Sequence, residues 1–126
     1  MIEGRVLVGG HAEAAALVLD EPLSLWGGLD PTTGRIVEVR HPQHGEVVTG
    51  RILVMPSGRG SSSSATILAE AIRLGTAPAG IVLGEPDEIL AIGALVAAEL
   101  YGRTSPIVAV DADLYGSIRE GELVTV

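Results

Sequence analysis

Three short apolar runs do most to limit the fold: Ile52-Leu53-Val54, Gly80-Ile81-Val82-Leu83 and Pro106 to Val110. Each is too short for a helix, and unbroken apolar runs of this length suit strands buried on both faces. Two segments of helical length separate them. In Ser64 to Leu74, Ile67, Leu68, Ala71 and Ile72 fall on one face, while Thr66, Glu70 and Arg73 fall on another. Gly75 is placed to end that helix. The second segment opens with Pro86 in its first turn, with Asp87 and Glu88 favourable near a positive helix end, and runs to about Tyr101 before Gly102. It has no polar side chain between Glu88 and Glu99, which predicts cover on most sides. Further strands are expected at Arg5 to Val8, Ala14 to Leu19, Arg35 to Val39, Arg51 to Met55 and Glu122 to Val126. The order predicts a compact α/β domain of sheet layers and two helices, and 126 residues suit one domain, 1–126.

Composition narrows the chemistry. Hydrophobic residues make up 47% of the chain and aromatics 2%, so the core is built from Val, Ile, Leu and Ala. The net charge is −8 and every basic residue is Arg, so no basic track follows a phosphate backbone and nucleic acid is not an expected partner. Without Lys the chain supplies no Schiff base and no P-loop lysine. Without Cys it supplies no disulfide, thiol nucleophile or thiolate ligand. Met1 to Arg5 lacks the pattern of a signal peptide, and the longest apolar run, Ile89 to Ala98, is too short to span a bilayer. A soluble cytoplasmic protein without a membrane partner is the expectation.

The segment Met55-Pro-Ser-Gly-Arg-Gly-Ser-Ser-Ser-Ser-Ala65 joins the first buried strand to the first helix. A helix start leaves backbone N–H groups without intrahelical acceptors, and these donors with the positive helix end attract a carboxylate or phosphate. Gly58 and Gly60 allow close backbone approach, Arg59 adds a two-pronged charged contact, and the hydroxyls of Ser61 to Ser64 cap the helix or face a ligand. The same residues also suit a purely structural join, because Ser is a favoured N-cap and Gly is common in turns. One cap needs one serine, however, and four in succession lower helix propensity. The turn has no Gly-Lys-Ser/Thr of a P-loop, no third glycine of a dinucleotide fingerprint and no Gly-x-Ser-x-Gly elbow.

Elsewhere the chain offers less. His41 and His44 flank Pro42 in a turn, which argues for a solvated loop over a metal face. His11 reads as a polar residue at a strand end. Glu85, Asp87 and Glu88 read as capping and dipole residues, and Asp111 and Asp113 as surface residues of a turn. No metal ligands are assigned.

Several of these pieces together resemble one family. Trp26-Gly-Gly-Leu-Asp-Pro-Thr-Thr-Gly34, His41-Pro with Gly45 following, Pro56-Ser-Gly-Arg-Gly-Ser-Ser-Ser-Ser64, Gly75-Thr-Ala-Pro78 and the segment Ile81 to Ala98 are similar, in order, to the small swivelling subunit of aconitase X. The resemblance implies a swivelling β/β/α domain with barrel-like sheet layers and two main helices. It would close over a separate large subunit that carries an iron–sulfur cluster, so that this chain binds no cofactor itself. The implied reaction is dehydration of a small anionic hydroxy-metabolite, either (R)-5-phosphomevalonate or cis-3-hydroxy-L-proline. By the same resemblance Ser61 is the proton acceptor, while Ser62, Ser63 and the Gly58-Arg59-Gly60 turn hold the substrate's carboxylate or phosphate. The chain alone would then be inactive.

Two other readings stay open. A stand-alone module could capture a small anion through the same turn without catalysis. A phosphohistidine swivelling domain would need a histidine near Ile92 or Gly93, where none stands. Trp26, the one Trp, suits either an interface anchor or a side chain folded back over the barrel end.

Overall fold

A computed structural model describes residues 4–126, so Met1 to Glu3 lie outside the described residues. In chain order the elements are β1 (Arg5–Val8), β2 (Glu13–Val18), α1 (Leu25–Gly28), β3 (Leu29–Asp30), β4 (Arg35–Ile36) and β5 (Ile52–Met55). Then come α2 (Ser64–Leu74), β6 (Gly80–Leu83), α3 (Glu88–Tyr101), β7 (Ile107–Ala109), α4 (Ala112–Ser117) and β8 (Leu123–Thr125).

The main sheet has the order β1-β7-β6-β5-β2-β8. Its four inner strands are parallel, with β1 and β8 antiparallel at the edges. Parallel strands need long crossovers, and α2 and α3 provide them between β5, β6 and β7. Alternation along each inner strand divides the core into two. Leu53, Met55, Ile81, Leu83 and Ile107 meet Leu68 and Ile72 of α2 and Leu90, Ala94 and Ala97 of α3. Ile52, Val54, Val82 and Val108 point the other way, toward Ala16, Val124 and Val126, with Leu114 and Tyr115 of α4 against them. The sheet curls into a half-barrel, with α2 and α3 covering one face and the edge strand β8 and the short α4 packing on the other. Each fully buried Val, Leu or Ile contributes about 1.5–3 kcal/mol, which compensates for the shortage of aromatics. The α/β class with two long helices stands as the sequence predicts.

The departures are local and have visible causes. The expected strand Arg35–Val39 shrinks to Arg35–Ile36, because its partner β3 is only two residues long. Pro86 does not begin α3; Asp87 is the N-cap, its carboxylate accepting from Ile89 N and Leu90 N. Asp111 likewise caps α4, a helix where only a turn was expected. His41 is buried, not solvated: its Nε2 donates to the Glu21 carbonyl at 3.1 Å while Nδ1 accepts from Gln43 N at 3.0 Å.

The largest departure concerns the cover of α3. Leu90, Gly93, Ala94 and Ala97 are buried, but Ile92, Leu95 and Leu100 are 55%, 52% and 64% exposed. An apolar sequence on all sides has produced one buried face and one bare one. Gly93 sets that geometry, since a Cβ built there would lie 2.5 Å from the Ala65 carbonyl oxygen. The two helices touch backbone to backbone, and α3 has one side only to offer the core.

Candidate functional site

The carboxyl ends of neighbouring parallel strands are where open α/β sheets present ligand crevices. Here three such loops meet. The loop after β2 brings Leu23, the loop after β5 brings Gly58, Arg59, Gly60 and Ser61, and the loop after β6 brings Asp87. With Ser64, Ile89 and Leu90 they line a cavity of about 110 Å³. A parallel bridge between Leu23 and Gly58 stitches the first two loops together.

The turn itself is built by its glycines and serines. Gly60 has φ +86°, a left-handed conformation that disfavours any Cβ. Ser61 Oγ accepts from Ser63 N at 3.0 Å, and Ser61 O accepts from Ser64 N. Ser61 is therefore the residue that caps the entry to α2, two positions before the formal N-cap Ser63, which makes no side-chain cap. Among the described residues, the amides of Gly60, Ser61 and Ser62 donate to no protein acceptor. A helix start with free donors can attract an anion, and α2 carries no acidic residue in its first turn to occupy them.

Of the residues singled out in the sequence, Gly58, Arg59, Gly60 and Ser61 share the cavity wall. Ser62 is exposed and Ser63 half-buried, and neither lines it. Ser64, outside that set, does line it and is buried. Its hydroxyl accepts from Trp26 N at 3.2 Å, while Ser24 Oγ donates to the Trp26 carbonyl at 3.0 Å. The signal for Ser64 was present in the serine run; its pairing with residue 26 is a tertiary fact that spacing does not carry.

A second cleft of about 220 Å³ adjoins through Leu23 and Arg59, and its lining includes Trp26, Glu38, Arg40 and His41. Trp26 is 56% exposed, so its side chain does not fold back as core. The local reason is the backbone: α1 is a distorted turn with Trp26 at ψ 114° and Gly27 at φ 78°, which swings the indole outward. Arg59 approaches Glu21 at 4.0 Å with both side chains more than half exposed, a contact worth little in water. The guanidinium thus stays available to a ligand. The remainder of the Trp26–Gly34 motif is scaffolding. Asp30 Oδ1 accepts from Thr32 N and Thr32 Oγ1, and these bonds, followed by those from Thr33, hold its carboxyl below the ordinary range.

The donor set does not fit a metal cluster on this chain. Cysteine is absent, and among the described residues no group of three or more His, Asp or Glu converges. Nor, among the described residues, is any helix long and apolar enough to cross a membrane.

Comparison with known proteins gives a consistent picture. A family model described as Aconitase X swivel domain matches residues 1–126. A cis-3-hydroxy-L-proline dehydratase of Pseudomonas aeruginosa is 48% identical over 107 residues, 85% of this chain but 18% of that protein. A phosphomevalonate dehydratase small subunit of Thermococcus sibiricus is 38% identical over 125 residues, covering 99% of this chain and 90% of that subunit. Among solved structures, Thermococcus kodakaraensis aconitase X in its holo-form superposes with a TM-score of 0.87 at 34% identity, over 98% of this chain and 88% of the other. The chain thus spans under a fifth of the hydroxyproline dehydratase and most of the small subunit.

Proposed function

The chain belongs to the aconitase X swivel-domain family, and from that premise we propose that it is the small subunit of a heteromeric dehydratase. It closes over a large companion that carries the iron–sulfur cluster, and it binds no cofactor of its own. The substrate is a small anionic hydroxy-metabolite, cis-3-hydroxy-L-proline or (R)-5-phosphomevalonate, the two chemistries named in its relatives. The observation that carries this reading is that Ser61 lines one cavity with Arg59 and Gly60, with its hydroxyl accepting from Ser63 N and its neighbouring amides donating to no described acceptor.

Dehydration breaks a C–H bond on one carbon and a C–OH bond on its neighbour, leaving a double bond and water. Ser61 Oγ, as the alkoxide, takes the proton and becomes the hydroxyl, which passes the proton to the departing hydroxide to give water. A serine hydroxyl is a poor base in water, but its anionic form is favoured by donors already aimed at it. The Ser63 amide donates to Oγ, and the open end of α2 adds a positive potential. Arg59 and the amides of Gly60 to Ser62 hold the substrate's carboxylate or phosphate through charge-assisted hydrogen bonds. These electrostatic effects grow when water is excluded, which is what a companion closing over the cavity supplies. The swivel domain alone is then inactive.

The decisive experiment combines the chain with its large companion and assays both compounds. Ser61→Ala lowers turnover by at least about 10²-fold, the low end for a group that transfers a proton. Near-normal turnover in that variant removes Ser61 from the mechanism. Tight binding of either compound by the isolated chain, with no companion recovered in pull-down, replaces the subunit reading by a stand-alone binding module.

A further inference from the structure

Resting on the reading of Ser61 above, we propose that Asp87 is a positioning residue for the Ser61 turn. Its carboxylate has two oxygens with different tasks. Oδ1 accepts from Ile89 N at 2.9 Å and Leu90 N at 3.1 Å, and this alone completes the cap of α3. Oδ2 accepts no hydrogen bond from any described residue and stands against Gly58, where a methyl group would overlap it. Asp87 and Ser61 line the same cavity. The carboxylate is thus wedged between the start of one helix and the loop leading into the other.

The wedge works because its own base is fixed. Two bonds to consecutive amides hold the carboxylate plane, and α3 is pressed onto the first turn of α2 where Gly93 meets Ala65. Gly58 cannot move toward α3, and the Leu23 bridge holds it from the other side. Gly60 then makes the left-handed step that delivers Ser61. Asp87 makes no hydrogen bond to the hydroxyl or to its Ser63 donor; it acts through the backbone at position 58.

Shape, not charge, carries this role, and the variants separate the two. In the assembled enzyme, Asp87→Ala lowers kcat at least tenfold with KM within threefold, while Asp87→Asn, which keeps both the acceptor and the bulk, stays within threefold in both. Gly58→Ala also lowers kcat at least tenfold. The double variant Gly58→Ala/Asp87→Ala loses no more than the worse single one, since removing the carboxylate makes room for the methyl group. A residue that only caps α3 would show no such coupling. In parallel, NMR of the chain follows the amide signals of Gly60, Ser61 and Ser62. They move in Asp87→Ala and hold in Asp87→Asn. Unmoved amides in Asp87→Ala overturn the proposal, and so does a kcat within threefold of wild type. Normal turnover in Ser61→Ala instead fails the mechanism, and the amide signals still decide the role of Asp87.

Discussion

Two helices begin side by side at the cavity, and they begin differently. At α3 the first free amides are taken by Asp87, and Glu88 adds a second negative charge in the first turn. At α2 the first turn has no acid, the formal N-cap makes no side-chain bond, and the amides of Gly60 to Ser62 point to no acceptor. Both starts follow neighbouring inner strands, at the carboxyl end of the same sheet. One is closed by the protein itself; the other is left open. A helix start that folding has completed has nothing left to offer a ligand, whereas an open one keeps its donors and its potential for an incoming anion.

Substitutions can break this contrast or make it sharper. The largest effect belongs to the open start: Ser61→Ala reduces turnover of the assembled enzyme at least about 10²-fold, equivalent to about 2.7 kcal/mol in the barrier, and the lost bond from Ser63 N costs about 1 kcal/mol of stability besides. Next comes the contact between the two helices. Gly93→Ala forces a methyl group against the Ala65 carbonyl and lowers unfolding stability by about 1–3 kcal/mol in a denaturant titration. At the closed start, Asp87→Ala removes a genuine cap and costs about 1 kcal/mol by the same measurement. The smallest effect falls on Ser63→Ala, at the formal N-cap of α2. Its hydroxyl caps nothing, so stability shifts by no more than about 0.5 kcal/mol. If Ser63→Ala cost as much as Asp87→Ala, α2 would be closed as well and the contrast would fail.

Much of the fold was legible wherever a local signal and the tertiary outcome agree. Ser64–Leu74 and Gly80–Leu83 appear with the boundaries expected of them, because Gly75 and Gly80 punctuate apolar runs that are truly buried. The convergence of Gly58, Arg59, Gly60 and Ser61 on one cavity wall follows from their adjacency in a turn between a strand and a helix. What could not be read depends on partners distant in sequence. The burial of His41 follows from the Glu21 carbonyl, and the role of Ser64 from Trp26 N, 38 positions away. The bare side of α3 was misjudged because hydropathy reports what a helix can bury, not how many neighbours reach it. Among the described residues, α2 and the sheet are the main ones that do. The resemblance groups Ser62 and Ser63 with Ser61; a turn entering a helix rotates successive side chains apart, and the cavity wall includes Ser61 and Ser64 but neither Ser62 nor Ser63.

The open start of α2 is made chiefly of peptide groups, and that has a consequence for how such a site can vary. A recognition surface of side chains can be rewritten one codon at a time. A cradle of main-chain donors has no letters to change, and every alteration must pass through the path of the chain. Divergence in what the pocket accepts is therefore expected around its margin, at positions such as Trp26, Arg40 and Arg59, while the cradle is inherited whole.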